Sequence, residues 1–232
     1  AEAHARAGKR MSATRRPKKI DGPEAFRAAF SVSRETLDRL TLYEDLLKRW
    51  QKAVNLVAPT TLGEIWHRHF ADSAQLVRLI PEEAEALVDL GSGGGFPGLV
   101  LAIVLHERKA MRVTLVESDG RKAAFLREVA RQTQVPVDIL STRIENAETQ
   151  RKVSTVDVVT VRALAPLNRL LGLAAPFFAP NTRGLFLKGR DVHGEIDEAR
   201  EAWHFDVELV PSVTDAQGQI AVVCNVRAKT EG

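Results

Sequence analysis

Asp89-Leu90-Gly91-Ser92-Gly93-Gly94-Gly95-Phe96-Pro97-Gly98 joins the apolar run 86–90 to a second apolar run that starts at Leu99. Glycines lack a Cβ, so such a turn lets a ligand approach the backbone closely. Proline at the start of the second run suits a first helical position, where its missing N–H would have no partner. The stretch therefore reads as strand, tight turn, helix. From residue 84 onward short apolar runs alternate with helical patterns, the signature of parallel βαβ units. Strands are predicted near 86–90, 112–117, 137–140, 157–161, 185–188, 207–209 and 220–226, with helices near 97–106, 121–132, 167–178 and 192–203. Only residues 211–218 separate the last two strands, too few for a crossover helix, so these should form an antiparallel hairpin. The expected fold class is α/β, a seven-stranded Rossmann-like sheet that is parallel except for that C-terminal hairpin.

Working back toward the N-terminus, residues 23–83 have the helical period and read as a helical extension of the sheet domain, 84–232. Leu37, Leu40, Tyr43, Leu47, Trp50 and Val54 recur at steps of three and four, predicting one amphipathic helix. Val57-Ala58-Pro59-Thr60 breaks it. Thr61-Leu62-Gly63-Glu64 then has capping-box spacing ahead of a second helix carrying Ile65, His69, Ser73, Leu76 and Ile80. Residues 1–22 form a basic tail: seven Lys and Arg stand against Glu2 and Asp21, a net +5 in a chain of net +3, so the rest is slightly acidic at −2. Such a tail favours polyanions, nucleic acid first among them; a plain solvated terminus and an organelle transit peptide are the other readings. No stretch approaches the ~20 apolar residues that cross a bilayer. The single Cys224 excludes a disulfide framework and a thiolate metal cluster, which fits a reducing cytoplasm.

In open α/β sheets ligands bind outside the carboxyl ends of the strands. Against the dinucleotide fingerprint the third glycine position falls on Phe96, which disfavours a pyrophosphate packed on the helix start. Glu117 ends the second strand, placed to accept both ribose hydroxyls of an adenosine. Nicotinamide enzymes share that feature, so it indicates adenosine without choosing the cofactor. Asp89 either orders the glycine turn or meets the ammonium of a methionine moiety. Ile144 and Glu145 follow the third strand, where an adenine would lie against an apolar side chain and a polar neighbour. Arg162 follows the fourth, in the crevice. His67 and His69 are two positions apart and point to different helix faces, so no metal site is expected. His69 and Asp72 do share a face.

Together these motifs resemble one family, the small-subunit ribosomal RNA methyltransferases that modify guanine N7, also called glucose-inhibited division protein B. The resemblance runs from about Leu42 to Val226. It rests on Trp50-Gln51-Lys52-Ala53-Val54-Asn55-Leu56, Arg68-His69-Phe70-Ala71-Asp72-Ser73, the turn from Asp89 to Gly98, Glu117-Ser118, Arg121-Lys122-Ala123-Ala124-Phe125-Leu126, Arg162-Ala163 and Leu187-Lys188-Gly189. Val57-Ala58 departs from it, because the family often has a hydroxyl residue there.

The resemblance implies a class I methyltransferase fold and S-adenosylmethionine as cofactor. Its contacts would be Gly91, Phe96, Ile144, Glu145 and Arg162, with Asp89, Gly93 and Glu117 beside them. Arg68, His69 and Lys188 would meet the RNA. The substrate would be 16S ribosomal RNA in the small subunit or an assembly intermediate, and the enzyme a cytoplasmic monomer. The chain has Arg162-Ala163-Leu164-Ala165 where adenine amine methylation uses an Asn/Asp-Pro-Pro-aromatic run, and Cys224 lies away from the crevice, which disfavours cytosine carbon methylation. Guanine N7 has a lone pair and no proton to lose, so a positioned site needs no general base. Arg162 or Lys188 would then assist catalysis by hydrogen bonding to O6 or a phosphate. Two other classes stay open: a non-catalytic RNA-binding module on this fold, and a nicotinamide oxidoreductase.

Overall fold

The computed structural model describes residues 19–153 and 156–229. The basic run 1–18 lies outside the described residues. The last residues of the expected tail are docked: Ile20 is buried, its amide donates to His67 Nδ1 at 3.2 Å, and Lys19 pairs with Glu64 at 2.7 Å.

Seven strands form one sheet, β1 (Ala86–Leu90), β2 (Arg112–Val116), β3 (Asp138–Leu140), β4 (Val158–Arg162), β5 (Arg183–Lys188), β6 (Trp203–Pro211) and β7 (Gln219–Ala228), in the order β3-β2-β1-β4-β5-β7-β6. The first five are parallel, while β7 runs antiparallel to both β5 and β6. Both faces are covered, which is why β1 and β4 read as nearly continuous apolar runs. Alternate residues serve the two layers. Leu87, Val158, Leu185 and Ile220 face one core, and Val88, Val159, Phe186 and Ala221 face the other. The first core packs under α1 (Pro23–Phe30), α2 (Arg34–Trp50), the turns at 59–79, α4 (Gly98–Val104) and α5 (Gly120–Thr133). The second packs under α6 (Ala147–Val153), α7 (Leu167–Ala174) and α8 (Val192–Ala202). The strand order reverses between the parallel neighbours β1 and β4, which opens the crevice where ligands bind in such folds.

Several boundaries differ from the sequence expectation, each for a local reason. The helix through Leu37 stops at Trp50, short of Val54. The Gln51 carboxamide turns the chain there, accepting from the Leu56 and Val57 amides at 3.0 Å and donating to the Val57 carbonyl at 2.8 Å. The second expected helix is instead a chain of short turns: 3-10 at Pro59–Glu64, π at Trp66–Ala71, a single α turn (α3, Asp72–Ala74) and 3-10 at Gln75–Leu79. The capping box does not form, because the Thr61 hydroxyl bonds the Ala58 carbonyl and His69. Pro97 precedes α4 rather than opening it. Two helices were not expected, α1 as a separate element and α6. The edge strand β6 starts at Trp203, four residues earlier than predicted.

Candidate active site

The glycine turn is held from three sides. The Gly91 and Ser92 amides both donate to the Val116 carbonyl, at 2.9 and 3.0 Å, pinning the turn to β2. From α2, the buried Tyr43 hydroxyl donates to the Gly94 carbonyl, and its ring stacks on Phe96 at 5.5 Å and 8°. At Gly98 a Cβ would stand 2.5 Å from Leu115 Cδ2 and collide with the Asp89 side chain, so only glycine lets α4 start this close to the sheet. Glu117, 7% exposed, accepts from the Gly93 amide at 2.8 Å and the Asp119 amide at 2.7 Å, one bond to each oxygen. A carboxylate offers about four acceptor sites, so both oxygens retain capacity for a ligand.

A cavity of about 480 Å³ opens over this turn, lined by Gly91, Gly93, Phe96, Glu117, Ile144 and Glu145, with Arg162 on its far wall. The structure thus brings together every cofactor residue expected from sequence except one. Asp89 is 1% exposed and does not line the cavity. Its Oδ1 accepts from Thr160 Oγ1 at 2.7 Å, across the β1–β4 pairing, and Oδ2 has no partner among the described residues. Burial raises its pKa to about 6, and the nearby Ser92, Thr160 and Gly98 amide limit the rise. Asp89 therefore orders the turn from below, and the expected contact with a methionine ammonium is corrected: the carboxylate lies beneath the backbone that forms the cavity floor.

A second cavity, about 520 Å³, shares the wall Arg162-Ala163-Leu164-Ala165 with the first. Three cations line it, and each faces a carboxylate of the same cavity. Arg162 pairs with Asp72 at 3.3 Å, Arg68 with Asp215 at 3.8 Å, and Lys188 with Glu195. Its ionised lining therefore carries no net charge. Lys188 also donates to the Ala165 carbonyl at 3.0 Å and is only 8% exposed, so its ammonium holds the chain after β4. The Asp72 carboxylate further accepts from Thr214 at 2.6 Å and Gln75 at 2.9 Å, which ties the β6–β7 turn to the cavity.

His69 sits behind Arg162. Burial first, then the Arg162 and Arg68 charges, lower its pKa to about 3, so the ring is neutral. An arginine can only donate, so Nδ1 accepts from Arg162 and the proton is on Nε2, which donates to Thr61 Oγ1 at 2.8 Å. Thr61 in turn donates to the Ala58 carbonyl at 2.8 Å. His69 lines the second cavity with 4% of its surface exposed and both ring nitrogens engaged. It orients Arg162, whose guanidinium also lies 5.3 Å over the Phe96 ring. Sequence reasoning missed Tyr43, Thr61, Thr214 and Glu195. Only Tyr43 gave a signal, as a hydroxyl inside an apolar helical stripe.

The donor set fits an adenosine-bearing cofactor: a carboxylate with spare acceptor capacity at the end of β2, an apolar Ile144 after β3, and an open backbone turn between them. Strand order, crevice and turn define the class I methyltransferases. Two solved structures share the fold. An O-methyltransferase from Bacillus cereus in complex with SAH has a TM-score of 0.55 at 16% identity, covering 80% of this chain and 91% of that one. A putative class I S-adenosylmethionine-dependent methyltransferase from Listeria monocytogenes has 0.51 at 14%, covering 90% and 69%.

The chain belongs to the rRNA small subunit methyltransferase G family, whose profile matches residues 36–223. Curated proteins named ribosomal RNA small subunit methyltransferase G are 54% identical in Parvibaculum lavamentivorans, over 89% of this chain and 90% of that protein, and 53% identical in Rhodospirillum centenum, over 90% and 94%.

Proposed function

We propose that the chain transfers a methyl group from S-adenosylmethionine to N7 of a guanine in small-subunit (16S) ribosomal RNA, in the cytoplasm. The observation that carries the reading is the pair of cavities meeting at Arg162, one built on the glycine turn and one with a charge-balanced lining. Family membership supplies the nucleic acid. In-line methyl transfer asks the protein mainly for alignment. The cofactor supplies the electrophilic methyl. Gly91, Gly93, Glu117, Ile144 and Glu145 would hold it through its ribose and adenine, and Phe96 closes the turn beside Arg162.

On the acceptor side no proton has to leave guanine N7, which agrees with a neutral His69 turned toward Arg162 and a Lys188 committed to Glu195. The methylated purine is cationic. A lining whose cations are each matched by a carboxylate presents no net positive charge against it. Arg162 gives N–H groups to the Arg68 carbonyl, Asp72 and His69. A guanidinium has five, so others can reach O6 or a phosphate. Arg68, 44% exposed on the rim, is placed for RNA.

The test is transfer of labelled methyl to small subunits from a strain lacking this activity, followed by reductive cleavage of the RNA at N7-methylguanosine. Label and cleavage at one guanine are expected. Label resistant to that cleavage overturns the N7 assignment.

A further inference from the structure

Leu164 is the exposed large apolar side chain among the described residues, at 36%. It stands on the wall common to the two cavities. Three features keep it there. Ala163, just before it, is in the left-handed region at φ 51, a conformation that costs any residue with a Cβ. On the far side the chain is clasped by Lys188, which donates to the Ala165 carbonyl, and by Glu195, which accepts from the Leu167 amide at 2.7 Å. Beneath it Gly91 leaves room: a Cβ there would lie 2.8 Å from Leu164 Cδ1. A backbone strained just before this side chain and tied just after it leaves an apolar face about one-third exposed at the junction of the cavities, a face for a partner to cover.

The partner's chemistry follows from the surroundings. It must be apolar on the face it offers, and it must fit a cavity with no net charge. We propose that Leu164 is the platform on which one face of the acceptor purine rests, fixing the base at the junction so that its reacting edge faces the cofactor cavity. This rests on the reading that the acceptor is a base in RNA. A base face covered by an apolar side chain is removed from water, and loss of that contact is readily measured.

The experiment compares wild type, Leu164→Ala and Leu164→Met, using the full chain, S-adenosylmethionine and small subunits from the deletion strain. Calorimetry with S-adenosylhomocysteine is run in parallel. Leu164→Ala should lower kcat/KM for the subunit by about three- to ten-fold, the loss expected when a partly exposed leucine face no longer covers the base, leave S-adenosylhomocysteine affinity within about three-fold, and melt within a few degrees of wild type. Leu164→Met should restore most of the rate. An alanine variant within two-fold of wild type in kcat/KM overturns the proposal. So does an equal loss in S-adenosylhomocysteine affinity, which would make Leu164 a wall of the cofactor cavity. Failure of the underlying reading looks different: wild type itself would transfer no methyl to the RNA.

Discussion

Acidification should weaken the fold through one ring, His69. Its pKa is about 3 in the folded protein against an ordinary value of 6.5. A depressed folded pKa means that the unfolded chain binds the proton more tightly. The stabilising contribution of the neutral ring is therefore full above pH 6.5 and is lost as pH falls toward 3. Moving from pH 7 to pH 5 places 1.5 units between the medium and the unfolded pKa, which at about 1.4 kcal/mol per unit is a loss of about 2 kcal/mol. The whole-protein profile does not isolate this, because Asp89 acts oppositely over the same range. The clean perturbation is His69→Gln, whose amide oxygen can accept from Arg162 and whose amide nitrogen can donate to Thr61 without titrating. Urea denaturation of both proteins at pH 7 and pH 5 gives four stabilities. Wild type should lose about 2 kcal/mol more than the variant on acidification. Equal losses within about 0.5 kcal/mol, the scatter expected of such comparisons, would refute both the neutral ring and the proton placement derived from it.

The Asp89 carboxyl gives the opposite slope. With a folded pKa of about 6 above an ordinary 3.8, its contribution is full below pH 3.8 and lost as pH rises through 6. The variant Asp89→Asn should escape a loss of about 3 kcal/mol between pH 3.5 and pH 7; denaturation midpoints with parallel pH profiles would count against it. Glu117→Ala removes charged acceptor sites worth about 1.5–3 kcal/mol each, so S-adenosylhomocysteine should bind at least ten-fold more weakly by calorimetry, and affinity within two-fold of wild type contradicts the ribose assignment. Gly98→Ala puts a methyl against Leu115 and Asp89 and should cost about 1–3 kcal/mol of stability; an unchanged melting temperature would show that α4 has slack. Replacing Lys188 with Ala should lower turnover more than cofactor affinity, since the residue braces the chain after β4, and unchanged turnover would remove it from the site.

What could be read from the chain, and what could not, divides by sequence distance. The glycine turn, Glu117 and Arg162 sit at strand ends, and a parallel sheet carries all strand ends to one edge, so their convergence follows from periodicity alone. The C-terminal hairpin was legible from the short span 211–218, and Trp203, Phe205, Val207 and Leu209 alternate across the extra length of β6. The pairings that brace the glycine turn and the second cavity were not legible. Asp72 meets Thr214 across 142 positions, and Tyr43 meets Gly94 across 51. Such contacts depend on which loop the topology lays beside which helix. Lys188 looked like an available cation because its partner, Glu195, reads as an ordinary acid in the first turn of α8. The stretch 59–79 has helical spacing, but its side-chain bonds to backbone groups compete with a continuous helix, and a pattern of apolar residues does not record that competition.

The matched charges of the second cavity have a consequence for ionic strength. Attraction to a polyanion weakens steeply as salt rises, because it depends on displacing counterions. A chamber whose cations already have carboxylate neighbours contributes little to that attraction. On the proposed function, capture of the ribosomal RNA and turnover of the seated base should then respond to salt separately, the first falling and the second holding nearly constant. On that reading, a rise in salt would loosen the grip on a finished product without detuning the step that made it.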